Sequence, residues 1–329
     1  MLVLGIESSC DETACAVVKD GEGVLSNVVA SQHDVHSKYG GVVPELAARR
    51  HLENLPVVVS EALKRAGVPA GDVDLFSATF GPGLMGALLV GLSAAKGMAW
   101  AVGRPFVPVN HLHGHITAAR LNHRLTYPHI CLLVSGGHTS VYRVDSPVSF
   151  VELARTRDDA AGEAFDKAAK LMGLGFPGGP AVEKAALKGD ELAVKFTVPT
   201  IREKKTDFSF SGLKTAARLA LEKNPRVEDL AASFQRVIVR TLVSRTVSIA
   251  REQGLKQIVM AGGVACNQKL RGEMKAACDG AGYDVVWPEP VFCTDNAAMI
   301  AAAGFHKFAA NPDDPAWRNF TRVDAAANP

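Results

Sequence analysis

The sequence predicts an α/β protein of two related halves that face each other across a cleft. Three observations predict it. A plan of strand, polar turn, strand, helix, strand, glycine turn and helix runs twice, at an offset of about 130 residues. Two glycine turns follow strands directly, Ser135-Gly136-Gly137-His138-Thr139 and Ala261-Gly262-Gly263-Val264. In His111-Leu112-His113-Gly114-His115, two histidines stand four apart, a spacing that stacks both imidazoles on one helix face as a divalent metal requires.

In the first copy, residues 3–6, 14–18 and 24–29 read as short strands, and the turn at 7–13 is polar and dense in oxygen. Residues 44–66 have helical spacing of apolar positions, stopped by Gly67 and Pro69. Residues 73–79 form a strand that ends in Phe80-Gly81-Pro82-Gly83, and the Gly- and Ala-rich stretch 84–102 reads as a tightly packed buried helix. A further strand, 106–109, delivers the chain to His111. In the second copy, 129–134 and 140–144 are strands, 227–254 is the longest helix, and 257–260 leads into the second glycine turn. Residues 295–308 form a last apolar helix that closes the connection between the halves. Beyond Asn311 the Pro-, Asp- and Ala-rich tail is expected to be loosely ordered. Residues 145–226 stand outside the repeat and read as an inserted helical region, its polar segments near Asp158, Asp166 and Ser209 suited to lining a cleft. The expected division is a first lobe of residues 1–109 plus 295–329 and a second lobe of 110–294 that carries the insertion.

Composition narrows the class. With 329 residues, 47% hydrophobic and 21% charged, the chain is globular and long enough for two domains. A net charge of +2 argues against wholesale electrostatic wrapping of nucleic acid but leaves room for a local basic patch. Lys204, Lys205, Lys214 and Arg218 form such a cluster, readable as a nucleic-acid contact or as ordinary solvated surface. Six cysteines without a C-x-x-C pair fit reduced thiols in a cytoplasm. The opening apolar run ends at Glu7, too short for a signal peptide. Glycines and Lys96 break the stretch 84–102, so no membrane span is expected.

Each chemical feature carries a plain alternative. His111 and His115 could be structural histidines at a helix start; Leu112 stands where a zinc protease of the H-E-x-x-H type needs Glu, which argues against that chemistry. Asp295 opens an Ala-rich helix and could be a cap, or could complete a His₂Asp set with open positions that suits iron, zinc or manganese. The glycine turns could be tight turns alone; placed after strands, they also let backbone N–H groups cradle a phosphate. Asn267 would reach a base or ribose from the first turn of the helix behind the second cradle. Ser8, Asp11, Glu12 and Thr13 could satisfy a polar hairpin or orient a metal, a water or a nucleophile. Cys10 is the weaker nucleophile candidate, with no histidine beside it in sequence.

Several stretches together resemble one family. They are residues 5–13 (Gly5-Ile6-Glu7-Ser8-Ser9-Cys10-Asp11-Glu12-Thr13), Gly40-Gly41-Val42-Val43-Pro44-Glu45, Leu133-Val134-Ser135-Gly136-Gly137-His138-Thr139, residues 162–167, residues 177–180 and residues 260–267. Read in this order over residues 1 to about 305, they are similar to the TsaD (Gcp) family, tRNA N6-adenosine threonylcarbamoyltransferases of the bacterial branch. The resemblance implies an actin/Hsp70/sugar-kinase (ASKHA) fold of two duplicated RNase H-like lobes with an interdomain nucleotide cleft. It implies His111, His115 and Asp295 as ligands of one divalent ion, Fe2+ first and Zn2+ second. Val134, Ser135, Gly136, Gly137, His138, Asp166, Gly179, Glu183 and Asn267 would hold the threonylcarbamoyl-adenylate, or ATP or AMP, in the cleft. Asp11 and Glu12 would stand near the reacting carbonyl as catalytic residues. The implied reaction moves the threonylcarbamoyl group from threonylcarbamoyl-AMP to the exocyclic amine of the adenosine beside the tRNA anticodon. The implied partners are tRNA, a TsaB-type paralogue on the helical surface 45–66, a TsaE-type ATPase and a separate synthase for the adenylate. One departure stands out: His113, where relatives often carry an acidic residue, alters the charge beside the ligands. A small-molecule kinase and an Hsp70-like ATPase of the same fold are the alternatives.

Overall fold

Val3, Leu4 and Ile6 are fully buried, and so is every residue from Thr13 to Val18, which means both faces of the first two strands are covered. This computed structural model describes residues 1–197, 201 and 206–328. Lys204 and Lys205 of the expected basic cluster lie outside the described residues. The described chain divides into two units, residues 1–124, 146–149 and 288–329 in one, residues 125–145 and 150–287 in the other.

The first unit is built on β1 (Leu2–Glu7), β2 (Glu12–Lys19), β3 (Gly23–Ser31), β4 (Leu75–Gly81) and β5 (Phe106–Asn110). Their order is β3-β2-β1-β4-β5, antiparallel from β3 to β1 and parallel from β1 to β5. After the short α1 (His33–His36), α2 (Pro44–Ala66) and α3 (Met85–Val102) cover one face, where Leu55, Val58, Leu92 and Ala95 meet Leu4, Ile6, Phe76 and Phe106. Pro44 at the first turn and Gly67 at φ +66° bound α2 at both expected ends. The opposite face packs against α11 (Ala297–Ala310), which follows α4 (His111–Ala118) and the short α10 (Pro290–Cys293). The alanine content of α11 has a steric cause: a Cβ on Gly5 would stand 2.5 Å from the Ala297 carbonyl oxygen, so strand and helix touch through backbone. α11 is thus a core element of this unit.

The second unit repeats the plan. Its strands are β6 (His129–Val134), β7 (Thr139–Ser146), β8 (Ser149–Arg155), β9 (Gln257–Ala261) and β10 (Asp284–Val286), in the order β10-β9-β6-β7-β8. β6 and β7 are antiparallel, while β6, β9 and β10 are parallel, as in the first sheet. Helices α5 (Ala161–Met172), α6 (Gly178–Ala186), α7 (Ser211–Leu221), α8 (Val227–Gln253) and α9 (Gln268–Ala281) complete it. Phe165, Phe208, Phe210, Phe234 and Leu242 anchor its core against Leu132, Val134, Ile258 and Met260.

Four features differ from the sequence expectations. The divisions fall at 124/125 and 287/288, because α4 packs on α11: a Cβ on Gly114 would lie 2.7 Å from the Ile300 Cδ1. The stretch expected to be an inserted helical region begins with β8, a sheet edge whose mostly exposed residues mask the strand pattern. The tail beyond Asn311 is packed: Trp317 and Phe320 are buried, and Lys96 Nζ donates to the carbonyls of Thr321 and Val323. Helix α3, with 18 residues of mean hydropathy 1.4, does reach the length and apolarity of a bilayer crossing, although Ala87, Leu88, Leu92, Ala95 and Ala99 bury one side of it in this unit.

Candidate metal centre

β5 ends at Asn110 and α4 starts at His111, so the strand hands the chain directly to the first histidine. Asn110 caps α4, its Oδ1 accepting from the backbone N–H of Leu112 at 2.9 Å and of His113 at 3.4 Å. The third candidate ligand, Asp295, precedes Asn296, which caps α11 by accepting from the Met299 N–H at 3.0 Å. Asn296 is wholly buried, and its amide nitrogen donates to the carbonyls of Phe292 and Thr294. Asp295 therefore does not serve as the cap of this helix; its neighbour does.

Within the first unit, His111, His115 and Asp295 each offer a ligand atom, all within 4.8 Å of one another. Asp295 Oδ1 lies 3.1 Å from His115 Nε2 and 3.6 Å from His111 Nε2. Donors bonded at about 2.1 Å to one ion stand roughly 3.0–3.4 Å apart for right-angle to tetrahedral geometry; the 3.1 Å pair falls inside this range, and the 3.6 Å pair asks for a somewhat wider angle at a shared cation. The donor set fits as well: two imidazoles and one carboxylate, with buried rings and a partly open carboxylate. The rings meet edge to face with centroids 4.7 Å apart.

Behind His111 stands Glu7, fully buried at the end of β1. Its Oε2 lies 3.1 Å from His111 Nδ1 and accepts the Thr79 hydroxyl at 2.6 Å, while its Oε1 accepts the Ser9 N–H at 2.6 Å. Ser9 Oγ also lies 3.2 Å from His111 Nδ1. Burial alone would raise the Glu7 pKa, but the charge and hydrogen bond of His111 hold it below the usual carboxylate range. Burial would equally depress His111, yet the Glu7 and Asp295 carboxylates lift it to about 9. His113 points elsewhere in charge terms: burial, then the Lys307 ammonium, push it down to about 4, so it is a neutral ring where an acid was the expected family residue. Glu7, Ser9 and Thr79 were not singled out by the sequence reading. A carboxylate closing a wholly apolar strand was the available signal.

The acidic loop lies in the same unit. Glu12 accepts from Ser31 Oγ at 3.1 Å and is pushed up to about 9 by burial, then by the charges of Asp295 and Asp11 and a hydrogen bond with the Asp11 carboxyl. Glu12 therefore keeps its proton at neutral pH. His51 on α2 pins this loop, its Nδ1 at 2.8 Å from Thr13 Oγ1 and its Nε2 at 3.0 Å from the Cys10 carbonyl. Desolvation, with help from Asp11 and Asp295, drives the Cys10 thiol far upward, which removes it as a nucleophile.

The other candidates lie in the second unit. Ser135 N donates to the His138 carbonyl at 2.8 Å, and His138 N to Ser135 Oγ at 3.1 Å, which closes the turn between β6 and β7. Among the described residues a Cβ on Gly136 or Gly137 would meet nothing within 4 Å, which leaves their backbone open to a ligand. Gly262, at φ +88°, brings the second turn against β6: a Cβ there would stand 2.3 Å from the Val134 carbonyl oxygen. Asp166 Oδ1 accepts the Gly178 N–H at 2.7 Å, next to an open Gly179. Glu183 Oε1 accepts the Gln268 N–H at 2.6 Å, and Asn267 caps α9 through the Leu270 N–H while donating to Gln235 Oε1 at 3.0 Å. Lys214 and Arg218 of the expected basic cluster lie exposed one turn apart on α7.

Comparison with known proteins supplies the remaining finding. The family model described as TsaD, tRNA N6-adenosine threonylcarbamoyltransferase, matches residues 23–302. The chain is 53% identical over 334 residues to the tRNA N6-adenosine threonylcarbamoyltransferase of Symbiobacterium thermophilum, across 99% of this chain and 95% of that protein. It is 51% identical over 310 residues to the protein of the same name from Geotalea uraniireducens, across 92% and 90% of the two chains. Among solved structures, HypF of T. kodakarensis is similar with a TM-score of 0.64 at 18% identity, over 96% of this chain and 49% of that one. That likeness is one of fold, the ASKHA type with its duplicated sheets.

Proposed function

Because the chain belongs to the TsaD family of tRNA N6-adenosine threonylcarbamoyltransferases, transferases that modify tRNA, we propose that it takes its acyl group from threonylcarbamoyl-AMP at a centre formed by His111, His115 and Asp295. The observation that carries this reading is the convergence of those three side chains within 4.8 Å over a buried carboxylate. A divalent ion held there, iron(II) first and zinc second, would supply Lewis-acid polarisation of substrate oxygens. Because the relatives are named as transferases, the kinase and Hsp70-like ATPase readings are set aside.

In this reaction the adenosine amine attacks the carbamoyl carbon, a C–N bond forms, the bond to the phosphate oxygen breaks, and AMP departs with the electron pair. The amine is a poor nucleophile, since its lone pair is spread into the purine, so position and charge stabilisation matter most. The Asp11–Glu12 pair is the acceptor for the proton that the amine loses. Gly136 and Gly137 take up phosphate charge through their N–H groups, with Val134, Ser135 and His138 shaping that turn. Asp166, Gly179, Glu183 and Asn267 hold the rest of the adenylate. Asn267 keeps one lone pair and one N–H for it beyond the bonds to Leu270 and Gln235.

The substrate partner is tRNA, acting in the cytoplasm away from membranes. The TsaB-type paralogue docks on residues 45–66, where Leu52 and Val57 of α2 are 63% and 69% exposed. A TsaE-type ATPase and a separate synthase for the adenylate complete the set. The test is transfer of label from threonine and bicarbonate into tRNA from a strain depleted of the modification, with those partners present. His111→Ala should abolish transfer without altering the circular dichroism spectrum. Full transfer by wild-type protein stripped of metal would overturn the role given to the centre.

A further inference from the structure

We propose that Glu7 is the positioning residue of this centre: its carboxylate keeps the proton of His111 on Nδ1 and so turns the Nε2 lone pair toward the position shared with His115 and Asp295. The inference rests on the reading of those three residues as ligands and adds a group that touches none of the reacting atoms.

The geometry distinguishes Glu7 from an ordinary buried acid. Both of its oxygens are occupied: Oε1 by the Ser9 N–H, Oε2 by the Thr79 hydroxyl and by His111 Nδ1 at 3.1 Å. An ionised carboxylate only accepts, so the ring nitrogen facing it must donate. The opposite nitrogen, Nε2, lies 3.6 Å from Asp295 Oδ1 and is the one that would give up its proton and offer a lone pair when a cation enters. Glu7 sits at the end of β1 and Thr79 near the end of β4, neighbouring strands of one sheet, so the relay is fixed by rigid elements. His115 offers the contrast. Among the described residues its buried Nδ1 has no hydrogen-bond partner, and Nε2 is engaged with Asp295 at 3.1 Å. One of the two imidazoles is therefore held on its Nδ1 side by a carboxylate, and the other, among the described residues, is not. Partners behind a metal-bound histidine set its tautomer and its strength as a ligand.

Glu7→Gln separates this role from a purely structural one. With the glutamine oxygen in the place of Oε1, where it accepts the Ser9 N–H, the amide takes the place of Oε2, and its N–H facing His111 forces Nδ1 to accept and moves the proton to Nε2, where it blocks the lone pair. Co2+ is the probe, titrated against a competing chelator. We expect Glu7→Gln to bind Co2+ about 10–100-fold more weakly than wild type, with a shifted visible spectrum and an unchanged urea midpoint. Thr79→Val, which leaves the carboxylate in place, should lose less affinity than Glu7→Gln. In Zn2+-loaded wild-type protein, ¹H–¹⁵N spectra should show the His111 proton on Nδ1, a readout that stands even if Glu7→Gln fails to fold. Wild-type Co2+ affinity in a folded Glu7→Gln, or a His111 proton found on Nε2, would overturn the proposal. Should wild-type protein bind Co2+ no better than His111→Ala, the ligand assignment itself fails instead.

Discussion

Glu12 shows what one misplaced charge does to stability. Its folded pKa of about 9 lies far above the usual carboxylate range, so between the two values the folded state holds a proton that the unfolded state has lost. The contribution of Glu12 is then whole at acid pH and drains away as the pH climbs toward about 9. In metal-stripped protein, Tm should fall across this window for wild type and fall less for Glu12→Gln, as thermal melts at pH 5, 7 and 9 would show; parallel curves would refute the shift. Gly262 carries a steric prediction of the same size. Gly262→Ala places a Cβ 2.3 Å from the Val134 carbonyl oxygen at a positive φ, and should lower stability by ~1–3 kcal/mol, whereas Gly137→Ala, with nothing within 4 Å, should not. Denaturant midpoints of the pair decide it. At this scale the pairing of His111 with His115 was legible because a four-residue histidine spacing has a geometric meaning before any fold is known. Glu7 was not, because a carboxylate at a strand end reads equally well as the first residue of a turn, and only the register of β1 beside β4 puts Thr79 against it.

Helices α4 and α11 are each opened by an asparagine that leaves the adjoining candidate ligand free of capping duty. Asn296 does more than cap, since its amide also satisfies the carbonyls of Phe292 and Thr294 inside the core. Asn296→Ala should therefore cost about 1–2 kcal/mol, read from urea unfolding, and loosen metal retention beside it. Asn296→Asp keeps the cap acceptor but brings a carboxylate against two carbonyls, and should be worse than serine at that position. Elements with sharp chemical ends were legible: α2 between Pro44 and Gly67, and β6 as an unbroken apolar run. β8 was not, because an edge strand with most residues exposed lacks the buried alternation that betrays a strand. The tail was misjudged by composition, which averages Pro, Asp and Ala but gives no weight to two well-spaced aromatic anchors, Trp317 and Phe320.

All three candidate ligands, and Glu7 behind them, belong to the unit formed by residues 1–124, 146–149 and 288–329. An ion that binds only the folded form at 100 times its Kd stabilises by about 2.7 kcal/mol, and here that gain falls on one unit. Hydrogen exchange with and without Zn2+ should thus show added protection in β1, β4, α4 and α11, and none in β6 or β9. Equal protection in both sheets would mean that the ion couples the whole chain. The duplicated plan was legible from the repeat of strands and glycine turns, but the points of division were not, since they depend on which helix α4 packs against.

The matching strand orders also explain why two of the candidate ligands, His115 and Asp295, stand 180 positions apart in sequence. His111 follows the fifth strand of the first sheet at once, and Asp295 comes on the stretch that leaves the last strand of the second. Both are what the chain meets on exiting a copy of the same half-length blueprint. An ion bound there would join the two exits, taking His111 and His115 from the first and Asp295 from the second.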